Sequence, residues 1–106
     1  MLKFLIKASY TAEGTRGLLK SGGISRKEAV EKMITDLGGK MEAFYYAFGD
    51  ADVYIIAGLP DVATGAAVSL TVNSTGLVSV STTVLFDPAE VDKAAKISVD
   101  YRKPGS

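Results

Sequence analysis

A short turn between two strand-like runs constrains the fold of this chain more than any other segment. The runs cover 40–48 and 52–59, and the turn between them is centred on Gly49 and Asp50. Gly and Asp tolerate the bent or left-handed backbone of a tight turn, and so short a connection permits only antiparallel pairing. The Pro-Asp pair at 60–61 then ends the second run before a helix of small residues. A hairpin followed by a helix is the centre of a split β-α-β unit.

Alternating apolar residues and helix-capping signals supply the other elements. Thr11 is a predicted N-cap, and the glycine pair at 22–23 interrupts the helix that follows. The run Ser25-Arg26-Lys27-Glu28 predicts a capping box that restarts the helix, Gly38 ends it, and Asp87 begins a C-terminal helix. In chain order, the predicted elements are a strand over 2–10, a helix over 12–20, a helix over 25–37, strands over 40–48 and 52–59, a helix over 62–74, a strand over 77–86 and the last helix.

The order β-α-β-β-α-β, with one extra C-terminal helix, predicts a single α+β domain over 1–106 with a ferredoxin-like fold. Right-handed crossovers set the spatial strand order 4-1-3-2, with the helices on one face of an antiparallel sheet. The other face is too apolar to leave in water, so a second copy of the chain is expected to pack against it as a homodimer or higher homo-oligomer. The predicted interface residues are Leu5, Met41, Tyr45, Tyr54 and Ile56.

Composition excludes several classes of function. Twelve basic residues balance twelve acidic ones, so no net charge attracts nucleic acid or an anionic membrane. The chain has no Cys and no His. Disulfides, thiolate or imidazole metal sites, serine triads and cysteine nucleophiles are therefore excluded. No signal peptide or membrane-spanning run is found. We expect a soluble cytoplasmic protein with no cofactor and no metal ion.

A set of motifs spread along almost the whole chain resembles the GYD domain family of the dimeric α/β-barrel superfamily. They are Ala8-Ser9-Tyr10-Thr11, Gly14, Gly17, Arg26, Leu37-Gly38-Gly39-Lys40, Glu42-Ala43-Phe44-Tyr45, Phe48-Gly49, Asp52, Leu59-Pro60-Asp61, Thr82-Thr83, Asp87-Pro88-Ala89-Glu90-Val91, Val99-Asp100-Tyr101-Arg102 and Pro104-Gly105. The resemblance implies a dimeric α/β-barrel type of fold and oligomerisation, but no particular activity. The chain departs from the family at Ala51, where the name-giving Gly-x-Tyr-Asp motif has tyrosine.

Two clusters have a functional and a structural interpretation. The glycines around 14–17 and 21–23 could cradle an anion with Arg16 or Arg26 as counter-charge, but neither has dinucleotide or P-loop spacing. A kinked helix and a loop are the favoured interpretation. Asp50 and Asp52 could bind a hard cation. We favour an ordinary turn, since no third acidic residue is nearby in the sequence.

Tyrosines are the remaining acid–base and hydrogen-bonding candidates. Tyr10 and Tyr46 share the helix-covered side of the predicted sheet, and Asn73 on the following helix could join them. With Arg16, these residues are the predicted ligand-binding set of a small apolar pocket. Core packing is the alternative for each. Two functions stay open: an oligomeric module that binds a small, mostly apolar molecule, and a cofactor-free oxygenase or isomerase that uses a tyrosine as proton donor or acceptor.

Overall fold

The computed structural model describes residues 1–106 and has four strands and four helices. They are β1 (Leu2–Tyr10), α1 (Ala12–Ser21), α2 (Gly23–Asp36), β2 (Lys40–Tyr46), β3 (Val53–Leu59), α3 (Val62–Ser74), β4 (Val78–Leu85) and α4 (Pro88–Ala95). The strands form one antiparallel sheet in the order β2-β3-β1-β4. The α+β class, the ferredoxin-like arrangement and the predicted strand order are confirmed.

The core lies between the sheet and helices α2 and α3. Alternate residues of β1 and β3 point into it and are almost completely buried, as are Ile34 of α2 and Val68 of α3. Gly65 shows how closely α3 approaches, because a Cβ atom there would lie 2.7 Å from the ring of Phe4. The prediction that small residues let this helix sit close to the sheet is therefore confirmed.

The break between α1 and α2 differs from the predicted one. Gly22 has φ of 89° and is the N-cap of α2, which begins at Gly23. The predicted capping box is wrong, because Ser25 already lies in the first turn and no side chain caps this helix. A glycine can take the positive φ that the reversal requires, so the second helix starts at once. Thr11 and Asp61 are N-caps as predicted, and each side chain accepts a backbone N–H bond.

A β-bulge in β2 corrects the prediction for Met41. The register shifts between Met41, which pairs with Ala57, and Ala43, which pairs with Ile56. Met41 therefore lies on the helix-covered face and packs against the core, and its assignment to the open face is wrong. One extra residue in a strand moves every preceding side chain to the opposite face, and strict alternation cannot reveal it.

The chain beyond β4 extends away from the domain. No residue of α4 is buried, and every residue from Phe86 to Ser106 is exposed. The radius of gyration is 17.0 Å, whereas a compact chain of this length has a value of about 13 Å. The predicted ends of strands 40–48 and 77–86 are also too long, because Phe48 has a positive φ and Phe86 lies outside β4.

Candidate ligand-binding site

A cavity of about 330 Å³ lies beneath α1, between α3 and the adjacent ends of β1 and β4. We call it the α1 cavity; its lining includes Tyr10, Leu18, Arg26, Val72, Leu77 and Val78. A narrower apolar space of about 40 Å³ continues between the helices and the covered face of the sheet. Tyr10 and Arg26 line both spaces, so they stand where the polar mouth meets the apolar interior.

Tyr10 is held by its backbone, and its hydroxyl lies beside that of Tyr46. Its N–H donates to Oδ2 of Asp52 at 2.8 Å, which ties the end of β1 to the start of β3. This neighbouring hydroxyl helps to raise the pKa of Tyr46, whose own proton is donated to the carbonyl oxygen of Gly23. The hydroxyl of Tyr10 can therefore donate to a molecule in the cavity.

Tyr46 has a structural role beside the cavity. Its hydroxyl donates to the carbonyl oxygen of Gly23 at 3.0 Å, which fastens the first turn of α2 to β2. Its ring packs edge-on against Phe44 at 5.2 Å and stacks on Phe48 at 5.7 Å. Burial raises the pKa of Tyr46, the neighbouring Tyr10 raises it further, and Arg26 opposes the shift. The phenol is thus neutral at physiological pH and already engaged as a donor.

Asn73 lies outside the cavity and completes an edge of the sheet. Its Nδ2 donates to the carbonyl oxygen of Val80 at 3.1 Å, and its Oδ1 accepts from the N–H of Val80 at 2.6 Å. β4 is an edge strand, so these groups of Val80 face away from β1. An unpaired strand edge is a template for aggregation. The two hydrogen bonds from the Asn73 amide prevent another strand from pairing with β4 at Val80.

The arginine of the cavity is Arg26 and not Arg16. Arg16 is exposed on α1 and is not part of the lining, whereas Arg26 is partly buried in the first turn of α2. The guanidinium of Arg26 makes no hydrogen bond or ion pair; the ion pairs of the molecule are Lys3–Glu42, Lys32–Asp36 and Lys93–Glu90. Helical spacing could have identified it, since Arg26 precedes Val30 and Met33 by four and seven residues on the same apolar stripe.

The glycine and aspartate clusters have structural contacts. The N–H of Gly14 donates to Oγ1 of Thr11 at 3.2 Å, as an N-capped helix requires. A Cβ atom on Gly14 would collide with the carbonyl oxygen of Leu77, so glycine lets α1 approach the residue that precedes β4. Asp50 is exposed, and the carboxylate of Asp52 accepts the N–H of Tyr10. These contacts support the structural interpretation of both clusters.

Comparison with known families supplies the identification. The family model of the GYD domain matches residues 4–95, which is most of the chain. The chain belongs to the GYD domain family. Within the name-giving segment of this GYD domain, Ala51 is buried and Asp52 joins β3 to β1. No curated protein and no solved structure matches the chain significantly. None of its helices has the length and apolar character needed to cross a membrane.

Proposed function

We propose that this GYD domain is a non-catalytic module that binds a small, mostly apolar molecule in the α1 cavity and works as a homo-oligomer. The observation that carries the proposal is the pair of polar side chains, Tyr10 and Arg26, that line both the α1 cavity and the inner apolar space. Apolar walls with a few convergent polar groups are what small-molecule sites have in common.

Helix α1 covers the cavity and can open to admit a ligand. It has no buried residue, and the positive-φ Gly22 separates it from α2. An element with so little buried surface opens at low cost in free energy. α1 therefore acts as a lid that admits the ligand and closes over it.

Thermal unfolding with a panel of small apolar compounds tests the binding site. A ligand that binds the folded state raises the melting temperature by mass action. At a hundred times its Kd it increases the free energy of unfolding by about 2.7 kcal/mol. Tyr10→Phe should reduce this shift and leave the unliganded melting temperature nearly unchanged. Tyr101→Phe, on an exposed tyrosine, is the matched control and should behave as wild type. A loss of more than about 1 kcal/mol in unliganded Tyr10→Phe would assign the hydroxyl a structural role instead.

Assembly through the open face of the sheet is supported by its unpaired apolar surface. Leu5, Tyr54 and Ile56 are only partly buried there, and Tyr45 is 71% exposed. Lys7 lies 5.9 Å from the centre of the Tyr54 ring, so the interface is partly polar. Sedimentation velocity at micromolar concentration should give a dimer or higher oligomer, and a monomer would refute this part of the proposal.

A cofactor-free oxygenase or isomerase is the second candidate. It is favoured by the presence of Arg26 and the Tyr10 hydroxyl in one cavity, where they could stabilise and protonate a developing anion. The raised pKa of Tyr46 argues against a tyrosinate base there. Liquid chromatography coupled to mass spectrometry of a bound compound after incubation in air separates the two functions, because an oxygenated product differs in mass and an isomer differs in retention time. Unchanged compound supports the binding module, and conversion that depends on Tyr10 supports the enzyme.

A further inference from the structure

We infer that the ligand of the α1 cavity is a monoanionic carboxylic acid whose carboxylate binds Arg26 and whose apolar body lies against Leu18, Val72 and Val78. The inference rests on the proposed function and adds the chemical class of the ligand. It makes Arg26 the residue that determines specificity and the Tyr10 hydroxyl a second donor to the same carboxylate.

The first argument is the unsatisfied charge of Arg26. Its guanidinium has five N–H donors and is always protonated, yet no side chain or backbone oxygen of the chain accepts from it. Partial burial of a cation without a partner is unfavourable. Glu13 is the only acidic residue that lines either space, and it is exposed and unpaired. An acceptor from outside the chain would satisfy Arg26.

The second argument is the position of that charge. Arg26 is the only charged residue of the inner apolar space, and there it is accompanied by Tyr10 and otherwise by hydrophobic residues. A ligand that satisfies both groups needs an acceptor at one end and an apolar body at the other. The planar guanidinium binds a carboxylate through two parallel hydrogen bonds, and the tyrosine hydroxyl can donate a third.

The third argument limits the charge of the ligand. Arg26 is the only basic residue of the α1 cavity, and Glu13 at its rim repels anions. A single guanidinium neutralises one negative charge, so a phosphate dianion would retain an uncompensated charge beside the apolar wall of the cavity. The cavity therefore favours a carboxylate over a phosphate ester.

Isothermal titration calorimetry with octanoate and octanamide tests the inference, because the two probes share an apolar chain and differ in charge. Wild type should bind octanoate at least tenfold more tightly than octanamide. Arg26→Gln should weaken octanoate binding about 10- to 100-fold, the range for a lost hydrogen bond to a charged group, and should weaken octanamide binding much less. Arg26→Lys should retain part of the preference. Arg16→Gln, on an exposed arginine outside the cavity, should behave as wild type. Glu13→Gln should tighten octanoate binding.

Equal affinities for the two probes, or octanoate affinity unchanged in a folded Arg26→Gln, would overturn the inference. If octanoate fails to bind while neutral compounds still give a thermal shift that depends on Tyr10, the carboxylate inference alone is lost. If no compound of either kind shifts the melting temperature, the proposed function is lost with it. Circular dichroism of each variant verifies the fold, and Arg26→Lys provides the test if Arg26→Gln does not fold.

Discussion

The two faces of the sheet are built by the same four strands but meet different surroundings. On the covered face, Val53 and Ile55 are at most 4% exposed beneath α2 and α3. On the open face, their immediate neighbours Tyr54 and Ile56 remain partly exposed, although Ile56 is the same residue type as the buried Ile55. Burial thus depends on what lies above each face. The helices complete one face within the chain, and a second copy is our proposed cover for the other.

Aspartate substitutions at the adjacent Ile55 and Ile56 should reveal the largest difference between the two faces. Ile55→Asp places an unpaired charge in the core, at a cost of several kcal/mol that is comparable with the whole stability of a small domain, and should unfold the chain. Ile56→Asp should dissociate the oligomer and leave a folded monomer. Circular dichroism and sedimentation velocity distinguish these outcomes. If Ile56→Asp unfolds the chain as completely, or stays assembled, the proposed difference between the faces is wrong.

The amide of Asn73 joins the covering helix to the edge of the sheet, and its removal should have the next largest effect. Asn73→Ala leaves the N–H and carbonyl oxygen of Val80 without their partner and should cost about 1 to 2 kcal/mol in unfolding free energy, since water replaces part of the bonding. Urea denaturation measures the loss. Ser74→Ala, which removes a local hydroxyl bond on the same helix, is the control and should cost less. Equal losses of unfolding free energy in the two variants would show that the hydrogen bonds of the Asn73 amide do not stabilise the fold.

The adjacent Tyr45 and Tyr46 allow the open and covered faces to be compared through the loss of a single hydroxyl. Tyr46→Phe removes the bond to Gly23 on the covered side and should cost about 1 kcal/mol, whereas Tyr45→Phe should not change monomer stability. Tyr46 also has a raised pKa because of burial. Its contribution is therefore complete below the ordinary tyrosine pKa of about 10 and is lost as pH rises through the higher folded value. Urea midpoints measured across this pH range should fall at alkaline pH, and they should fall less in Tyr46→Phe. An equal fall in wild type and variant would contradict the assignment of the pH dependence to Tyr46.

The start of the covering helix α3 should give the smallest effect, and one that depends on pH. The side-chain hydroxyl and backbone N–H of Thr64 donate to Asp61 and lower its pKa. The stabilisation is present above the ordinary aspartate pKa and is lost as pH falls through the lowered folded value. Asparagine is also a good N-cap, so Asp61→Asn should keep the helix start. The free energy of unfolding of this variant should fall slightly less than that of wild type as the pH is lowered. Asp87→Asn is the control, because Asp87 caps α4 without a side-chain bond. Equal acid profiles for wild type and Asp61→Asn would contradict the expectation.

Much of the candidate site could not be predicted from the sequence. Alternation along β1 is uninterrupted and predicts Tyr10 on the covered face, where it packs against the core. The sequence also predicts Tyr46 on β2 and Asn73 on α3, but in the fold their polar groups are engaged by Gly23 and Val80. Arg26 could have been selected from its helical spacing, whereas its lack of a partner depends on residues far away in the chain. Which polar groups remain free is a property of the assembled fold.

Local regularities are sufficient for the element order, the hairpin, the strand order and the N-caps at Thr11 and Asp61, since each depends on residues within a few positions or on the handedness of short connections. The bulge that turns Met41 inward and the position of Arg26 above the inner space are different. Each arises where segments distant in sequence must pair and pack in three dimensions, and the best long-range contacts then override the local pattern.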